Sequence, residues 1–597
     1  MAADGQLDAA GGPRAWALSS RVAVFLVLLA LPGASQARNA CLNASDLQKL
    51  ADQSQWSRLL QATSQCLTPS ADNEYYRGLA FAGFERWEEA KAAFASGENK
   101  YAQDKRFPEE LAGVAFKQKR FQEARRHLYR ILRLDPHDRY AINFLATLYF
   151  LDGNLEAALK YWNRIGKPRI NQITTDPQLH IDPALLDRAY TCSPASVLTL
   201  EQYRTTLERF RQLGVFSSYR LDLEPAAGEG PETFDLALSA VEKNGWGPNK
   251  AAALISLVRG LPYETVYPEV YNLRRSALNI DSLFRWDSQK RRAFVSISAP
   301  LARNPKFRYG FYADGRNENW NISHTFLQPA VPVEGFNLEK IQLGGGIESI
   351  ANSRWMWSAG LNVSGRRFRN LPSGASAADP VFTNGAAAEA RARSDYALLR
   401  VPEKRFTLDS GVQGAVGNFY ARGFGRFGTL QGSLGARWLP QARGDDFEMI
   451  EEIYAGKTFG RVPFDNLFML GLEHDNNLPL RAHIGTENGQ KGNAPLGRDY
   501  LLSNWEVNKD LYTNAWFKLR LAPFVDTGKA YDGPDGFGSR QWLWDTGASA
   551  KLRVLGGVAL VFTYGKDLRT GRNTYYFTTT REGGPSFFPL PFVERFR

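Results

Sequence analysis

The stretch WMWSAGLNVSG, residues 355–365, decides how the second half of the chain folds. Every second residue from Trp355 to Val363 is apolar or aromatic, while the residues between them are Met, Ser, Gly and Asn. Alternation with a period of two indicates a β-strand with two different faces. The same alternation recurs in FRYGFYADG (307–315), FKLRL (517–521) and VALVFTYG (558–565).

The composition of the two faces indicates which kind of sheet these strands form. One face is apolar and aromatic, and the other carries glycine, small polar or charged residues. A soluble sandwich would carry more charge on its outer face, whereas a transmembrane barrel turns its apolar face to lipid and its small polar face to the lumen. The pattern predicts an antiparallel transmembrane β-barrel of about 16 strands over residues 248–597.

An N-terminal segment indicates that the protein leaves the cytoplasm. The apolar run VAVFLVLLALPG (22–33) follows Arg14 and Arg21 and precedes small residues up to Ala37. This is the pattern of a secretory signal peptide, which we expect to span residues 1–37. No later apolar run approaches the ~20 residues of a membrane helix, and an exported chain without one spans a bilayer as a closed barrel. We therefore expect an outer membrane of a Gram-negative-type bacterium, with lipid around the barrel.

The charged and catalytic residue types exclude several functions. The formal charge of +11 is spread along an exported chain, so we assign it to loops, polar faces and a lumen rather than to nucleic-acid binding. The chain has six histidines, with no Ser-His-Asp arrangement and no metal-ligand spacing. We expect no enzyme activity, no cofactor and no metal.

The three cysteines predict one disulfide. In an oxidising compartment Cys41 and Cys66 would join the first helical pair, which leaves Cys192 over.

Residues 72–170 repeat with a period of 34 residues, the length of a tetratricopeptide unit. Small residues alternate with large ones at fixed positions, as paired helices that stack into a solenoid require. The aligned columns are Gly78, Ala112 and Ala146; Phe81, Ala115 and Tyr149; Trp87, Phe121 and Leu155; Ala90, Ala124 and Ala158; and Phe94, Leu128 and Trp162. We expect an α-solenoid over residues 41–167, whose concave face would bind a periplasmic partner.

Residues 168–247 change to a mixed pattern in the order β-α-α-β-β. This order is that of any small α+β domain, but it also resembles a POTRA (polypeptide-transport-associated) domain. The matching positions are Leu213, Gly214, Phe216 and Glu242.

A POTRA-like module followed by a barrel of this size resembles the BamA/TpsB superfamily of outer-membrane assembly and secretion proteins. The resemblance covers roughly residues 168–597 and implies that an external loop folds back into the lumen. In that family an arginine in a V-R-G-F/Y motif at the loop tip meets the acidic residue of an F-x-D-x-G motif.

The second motif is present as Phe524, Asp526 and Gly528 in FVDTG. GRDY supplies the first motif as Arg498 and Tyr500, although Gly497 and Asp499 depart from the pattern. SNWEVNKDL resembles the strand after this loop, with Glu506 in the acidic position. The resemblance thus implies a buried pair between Arg498 and Asp526 that holds the loop inside the lumen.

The end of the barrel leaves two interpretations open. NTYYFTTT (573–580) reads as the last strand, yet REGGPSFFPLPFVERFR follows it. Either this tail folds back, or the final strand lies further on.

Three functions follow from this organisation. The first is handling of unfolded or extended polypeptide clients, whose strands the POTRA-like edge would accept by β-augmentation for membrane insertion or secretion. The second is polysaccharide export, in which a tetratricopeptide arm is also joined to a barrel. The third is a passive pore with the loop as its constriction. The POTRA-like module and the motif pair favour the first.

Overall fold

The computed structural model describes residues 41–581, apart from 228–229, 231, 324–331, 373–380, 515, 534–536, 540 and 555–556. The expected signal peptide, 1–37, and the tail 582–597 lie outside the described residues. The chain forms two compact units, one ending at Lys119 and one beginning at Arg120.

Helices dominate the N-terminal part and keep the predicted repeat. The helices are α1 Ala44–Asp52, α2 Trp56–Ser64, α3 Ala71–Gly83, α4 Trp87–Lys100, α5 Arg106–Lys117, α6 Phe121–Leu134, α7 Arg139–Leu151 and α8 Leu155–Trp162. Helices α4, α6 and α8 begin at residues 87, 121 and 155, so each starts 34 residues after the one before. The predicted helix pairs with this period are confirmed.

The first unit shows why small residues are needed where neighbouring helices touch. A Cβ added to Gly78 would lie 2.3 Å from the Phe94 ring, and one added to Gly97 would lie 2.1 Å from the Phe107 ring. The two rings are fully buried, and they hold neighbouring helices at a distance that only glycine permits. A disulfide between Cys41 and Cys66 closes the segment around α1 and α2, as predicted.

The second unit contains an α+β module between α8 and the large sheet. Its elements are β1 Arg169–Asp176, α9 Pro183–Ala189, α10 Leu200–Leu213, β2 Phe216–Pro225 and β3 Thr233–Glu242, followed by helix α11 Lys250–Val258. The sheet has the order β1-β3-β2, with β1 parallel and β2 antiparallel to β3. Thr199 forms a capping box at the start of α10, and Gly214 ends the helix in the left-handed region at φ 69°. This is the element order expected from the sequence.

The rest of the chain forms one large antiparallel sheet that curls into a barrel. The strands are β4 Thr265–Val266, β5 Glu269–Leu273, β6 Leu278–Trp286, β7 Lys290–Leu301, β8 Asn304–Ser323, β9 Pro332–Ile350, β10 Trp355–Arg369, β11 Gly385–Val401, β12 Phe406–Tyr420, β13 Arg426–Trp438, β14 Phe447–Gly460, β15 Phe468–Met469, β16 Thr486–Glu487, β17 Gln490–Lys491, β18 Leu496–Gly497, β19 Asp499–Thr513, β20 Phe517–Tyr531, β21 Leu543–Val554, β22 Val558–Asp567 and β23 Asn573–Arg581.

The wall of the barrel follows chain order, and its size is close to the predicted one. Strands β16 and β17 belong to an internal loop, and β15 pairs with β18 in a separate small sheet. The remaining segments form the wall, in which β4 and β5 pair with the same neighbour, β6. Strand β23 lies next to β4, and the Tyr263 hydroxyl contacts the Thr579 hydroxyl across this seam. Within the described residues, no backbone register pairs the two end strands.

The two faces of the wall have the inverted polarity that the sequence predicted. On β10 the side chain of Leu361 is 70% exposed, whereas that of the next residue, Asn362, is 4% exposed. Around these positions the polar side chains therefore face the interior and the apolar ones face outward. No helix in the described parts of the chain is both long and apolar enough to cross a membrane.

The α+β module rests on one rim of the barrel. Asn279 Nδ2 donates to the Leu213 carbonyl at 2.9 Å, and the guanidinium of Arg308 donates to the Gln212 carbonyl. Both acceptors are final carbonyls of α10, which have no partner within the helix. Barrel side chains thus complete the C-terminus of this helix.

Candidate lumen lock

Residues 461–498, between β14 and β19, form an internal loop that packs inside the barrel. Its apolar residues join a buried cluster with residues of the wall, among them Leu480 of the loop and Leu502 and Leu543 of the wall. Nearer the β14 end of the loop, Phe464 packs edge-on against Trp320 and Phe336, with centroid distances of 4.9 and 5.1 Å. Apolar burial therefore accounts for much of the attachment of this loop.

An arginine in the middle of the internal loop forms the central polar contact. Arg481 Nε lies 2.9 Å from Asp526 Oδ2, and Arg481 Nη2 lies 2.7 Å from Asp526 Oδ1. The backbone N–H of Arg481 also donates to Asp526 Oδ2, at 3.0 Å. The remaining guanidinium nitrogen, Nη1, donates to Glu506, which also accepts from Lys551. Two cations and two carboxylates thus balance one another in a buried site.

Neighbouring residues of the wall orient this pair. The guanidinium carbon of Arg481 lies 3.8 Å from the centroid of the Phe524 ring, a cation–π distance. Asn504 Nδ2 donates to Asp526 Oδ1 at 2.8 Å. Asp526 is fully buried and accepts hydrogen bonds from Arg481 and Asn504, so its charge is compensated within the site.

The pairing of Arg498 with Asp526 that the resemblance implied is wrong. Arg498 Nη2 donates to the Gly460 carbonyl at 2.6 Å, and its Nε donates to Thr458 Oγ1 at 3.2 Å. The strand register explains the difference, because Asp526 lies opposite Asn504, six residues further along β19 than Arg498. At ~3.3 Å per residue this separation is about 20 Å, beyond the reach of an arginine side chain.

A better match to the first motif stands earlier in the chain. Leu480, Arg481, Ala482 and His483 supply an apolar residue, an arginine, a small residue and a ring in the order of V-R-G-F/Y. The sequence therefore contained the signal, but the substitution of His for Phe or Tyr hid it.

The other predicted site residues divide into three groups. Glu506 and Phe524 contact the lock arginine directly, as described above. Gly528 lies against the apolar cluster, where an added Cβ would come within 3.1 Å of Leu502. Tyr500 does not reach the lock, since its ring packs on Phe468 at 4.7 Å and its hydroxyl donates to Gln431 at 3.0 Å.

A second buried ion cluster fixes another part of the internal loop to the wall. Lys491 Nζ lies 2.9 Å from Asp475 within the loop and 2.7 Å from Glu318 on β8. Arg316, also on β8, reaches Asp475 at 3.0 Å. In the strand order, β8 is separated from β20 by many strands in either direction, so the loop is attached to distant parts of the wall.

His483, Asp545 and Asp567 meet beside the lock. Each offers a ligand atom, and these atoms lie within 4.8 Å of one another. Among the described residues, these three form the cluster of histidine and carboxylate side chains whose ligand atoms are close enough to hold a metal ion.

Comparisons with known proteins match parts of this organisation. The tetratricopeptide repeat family matches residues 115–169, which include α6–α8. A comparison with curated proteins gave no significant match.

Solved structures share some similarity with the chain. BamA from Haemophilus ducreyi lacking POTRA domains 1–3 is 11% identical, with 69% of this chain and 84% of that chain covered and a TM-score of 0.40. CdiB from Escherichia coli is 14% identical, with coverages of 70% and 77% and a TM-score of 0.45. CdiB from Acinetobacter baumannii is 12% identical, with coverages of 69% and 73% and a TM-score of 0.40.

Proposed function

We propose that this protein is an outer-membrane barrel that handles polypeptide clients, for insertion into that membrane or for secretion across it. The observation that carries the proposal is the internal loop, which is held in the lumen by a buried, fully paired Arg481. The loop is also held by a second ion cluster and by buried apolar side chains, and in this proposal it acts as a gate with a held and a released state.

The outward face of the wall supports a membrane location. Apolar side chains such as Phe311, Ile341, Leu361 and Val416 are each more than 60% exposed on different strands. In water such a band would be a strong aggregation site, whereas in a bilayer it is matched by lipid tails. We assign residues 248–597 to the membrane barrel on this basis.

The α+β module offers a surface for extended clients. Strand β2 is at the edge of the sheet β1-β3-β2, so one side of its backbone lacks a neighbouring strand among the described residues. An extended peptide adds to such an edge through main-chain hydrogen bonds, and this recognition tolerates different sequences. We assign residues 168–247 to this POTRA-like role and place them in the periplasm.

The helical repeats, residues 41–167, would form a periplasmic arm that recruits a partner. The match to the tetratricopeptide repeat family supports this role, because stacked repeats present extended concave surfaces. Protease accessibility in intact cells tests the orientation. Cleavage of residues 41–247 from outside, with the membrane intact, would contradict it.

The filled lumen argues against a passive pore. An aromatic cluster that includes Phe336, Phe382 and Phe464 is buried in the interior, and the internal loop contributes to it. A pore for small solutes needs a water-filled channel. The experiment described next distinguishes polysaccharide export from the handling of polypeptides.

The experiment compares a deletion strain with strains that carry the wild-type protein, Arg481→Ala or the control Arg498→Ala. Surface and outer-membrane proteins are quantified by mass spectrometry, and surface polysaccharide is measured in the same cells. We expect specific proteins to lose their location in the deletion strain, with Arg481→Ala altering the same proteins and Arg498→Ala close to wild type. Loss of polysaccharide with an unchanged set of proteins would refute polypeptide handling.

A further inference from the structure

We propose that the internal loop holds the barrel closed from inside, by bridging the seam between β23 and the first wall segment, β4–β5. His474 of the loop is the side chain that contacts both sides of this seam. Release of the loop would therefore let the wall part at this one place. The inference concerns the wall itself, so it does not depend on the class of client.

The backbone does not close the seam within the described residues. Each wall strand is antiparallel to the next, and the number of steps from β5 to β23 is even, so the two end strands run in the same direction. The antiparallel ladder of the wall therefore cannot continue from one end strand to the other.

The first wall segment also uses its edge at the seam for another part of the chain. Tyr271 on β5 and Gly245, which precedes the barrel, exchange two backbone hydrogen bonds, at 2.7 and 3.0 Å. The N–H of Tyr267 likewise donates to the Leu257 carbonyl of α11 at 2.9 Å. These backbone groups are thus bonded away from β23, and contacts between side chains are left to hold the two sides together.

His474 provides such contacts. Its ring stacks on that of Tyr263, which lies just before β4, with centroids 3.9 Å apart. Its Nδ1 lies 3.2 Å from the Thr578 hydroxyl of β23, and its ring centroid lies 5.3 Å from that of Tyr576 on the same strand. The Tyr263 hydroxyl in turn contacts the Thr579 hydroxyl. One side chain of the internal loop thus touches both sides of the seam.

The loop is anchored to the wall on the β23 side of the seam. There the lock joins Arg481 to Asp526 on β20, and the next backbone N–H, that of Ala482, donates to Asp545 on β21 at 2.6 Å. In the strand order, β21 is separated from the seam by β22 and β23.

The loop is also anchored on the other side of the seam, where β7 and β8 follow β6. Glu473 precedes His474 and pairs with Lys290 on β7 at 3.3 Å. Asp475 follows His474 and pairs with Arg316 on β8 at 3.0 Å. The seam residue is therefore flanked by two ion pairs that fix it to this part of the wall.

The path of the loop between the two anchors is short. His483 Nδ1 lies 3.1 Å from Asp545 on β21, whereas Thr486 Oγ1 lies 3.0 Å from Lys290 Nζ on β7. Three residues of extended chain span at most about 11 Å, so this segment has little slack. Parting of the two sides would pull directly on it.

The segment around His474 is also linked to the lock. The N–H of Gly471 donates to the Leu478 carbonyl at 2.9 Å, and Asn476 Nδ2 donates to the Gly471 carbonyl at 2.7 Å. These bonds close residues 471–478 into one turn, and Leu478 and Leu480 share the buried cluster beside the lock. Displacement of the lock should therefore displace His474.

Distances between spin labels across the seam test the proposal. The label sites are Phe284→Cys on β6 and Phe562→Cys on β22, outward-facing positions 41% and 48% exposed, each one strand away from the seam. A Cys192→Ser background leaves no other free thiol, because the remaining cysteines form the disulfide. Double electron–electron resonance is recorded on the full-length protein in lipid vesicles.

A control pair spans the same number of strand steps within continuous wall. It consists of Leu361→Cys on β10 and Leu430→Cys on β13, which are 70% and 47% exposed. With the wild-type loop we expect one narrow distance distribution for each pair.

Loop variants should change the seam pair alone. Arg481→Ala should lengthen its distance by about 5 Å or more, the width of one strand, and leave the control pair unchanged. His474→Ala should broaden the seam distribution although the lock is intact. Arg498→Ala, which removes an arginine bound to Thr458 and Gly460, should match the wild type for both pairs.

Protease sensitivity of the internal loop, measured on the same samples, shows whether it has been released, and circular dichroism shows whether the barrel is folded. Should Arg481→Ala alone leave the loop protected, Arg481→Ala combined with Asp475→Asn weakens both anchors. A released loop with an unchanged seam distance would overturn the proposal, as would equal lengthening of both label pairs or a loop still protected in the combined variant. An unchanged seam distribution in folded His474→Ala would exclude His474 from the bridge.

Discussion

Arg481 and Asp526 are joined by three hydrogen bonds, two from the guanidinium and one from the backbone N–H of Arg481. The arginine lies in the internal loop and the aspartate on β20, so these bonds connect the loop to the wall. A bidentate, charge-assisted pair fixes orientation as well as distance. The added backbone bond means that the main chain of the loop is also held.

Removal of the lock arginine should release the loop. Arg481→Ala leaves Asp526 and Glu506 buried without their main partner, which we expect to cost about 3–5 kcal/mol of stability. Thermal unfolding and protease sensitivity of the internal loop measure the effect. Arg498→Ala, which removes an arginine bound to Thr458 and Gly460, should change both by much less.

The two halves of the lock should act as a unit. Asp526→Ala should resemble Arg481→Ala, and the double variant should be no less stable than the worse single one, because residues in contact are not additive. The four proteins form a double-mutant cycle in free energy of unfolding. Strictly additive losses would show that the contact contributes nothing.

Close helix packing in the repeats should make Gly97 intolerant of side chains. In Gly97→Val the new Cβ would meet the Phe107 ring at 2.1 Å, so we expect a loss of about 1–3 kcal/mol from overpacking. The control is Gly113→Ala, where nothing lies within 4 Å and the better helix propensity of alanine should add up to ~1 kcal/mol. Thermal unfolding followed by helical circular dichroism distinguishes the two. Equal effects at both sites would contradict the packing.

A charged side chain on the outward face of the barrel should destabilise the folded protein only where that face contacts lipid. Leu361→Arg should destabilise the protein folded in lipid vesicles by about 2–4 kcal/mol if the residue lies near the bilayer centre. Leu67→Arg is the matched control, because Leu67 is 80% exposed in the helical region. Denaturant titration of the folded fraction in vesicles gives both values. A penalty of the same size for the two substitutions would argue against a membrane around β10.

The free thiol of Cys192 should react slowly in the folded protein. Burial raises the pKa of this thiol from 9.0 to about 11, so at pH 8 the reactive thiolate is about 100-fold scarcer than in the unfolded chain. Alkylation by iodoacetamide, with and without denaturant, measures the ratio.

The same shift determines how this thiol affects stability. Because the folded pKa is the higher one, the contribution of the thiol is complete below pH 9 and is lost between about pH 9 and pH 11. In the alkylation experiment, equal rates for the folded and the unfolded protein would show that the Cys192 thiol is exposed to water rather than buried.

The features that the sequence predicted correctly are those that depend on patterns of side chains close together in the chain. The 34-residue helix step and the alternating faces of β10 follow from side-chain periodicity, which is local information. The disulfide of Cys41 followed from counting cysteines in an exported chain.

Two stretches, LRAH (480–483) within the internal loop and GRDY (497–500) at its end, resemble the arginine motif, and the choice between them required the long-range strand register. Arg498 seemed well placed because it precedes the strand that pairs with the FVDTG strand, but only the register shows that it meets β14 instead.

The seating of α10 on the rim has a consequence for how the module moves. Asn279 and Arg308 donate to the final carbonyls of this helix, so the helix end is finished by a different domain. If the module tilts away from the barrel, the Leu213 and Gln212 carbonyls lose their donors, Asn279 and Arg308. Water must then hydrogen-bond to these carbonyls before another orientation of the module can be stable. Asn272, Arg275 and Arg303 of the barrel also contact the module, at Glu242, His180 and Asp182. Tilting the module must therefore break several polar contacts together, so we expect small thermal fluctuations to leave its angle unchanged.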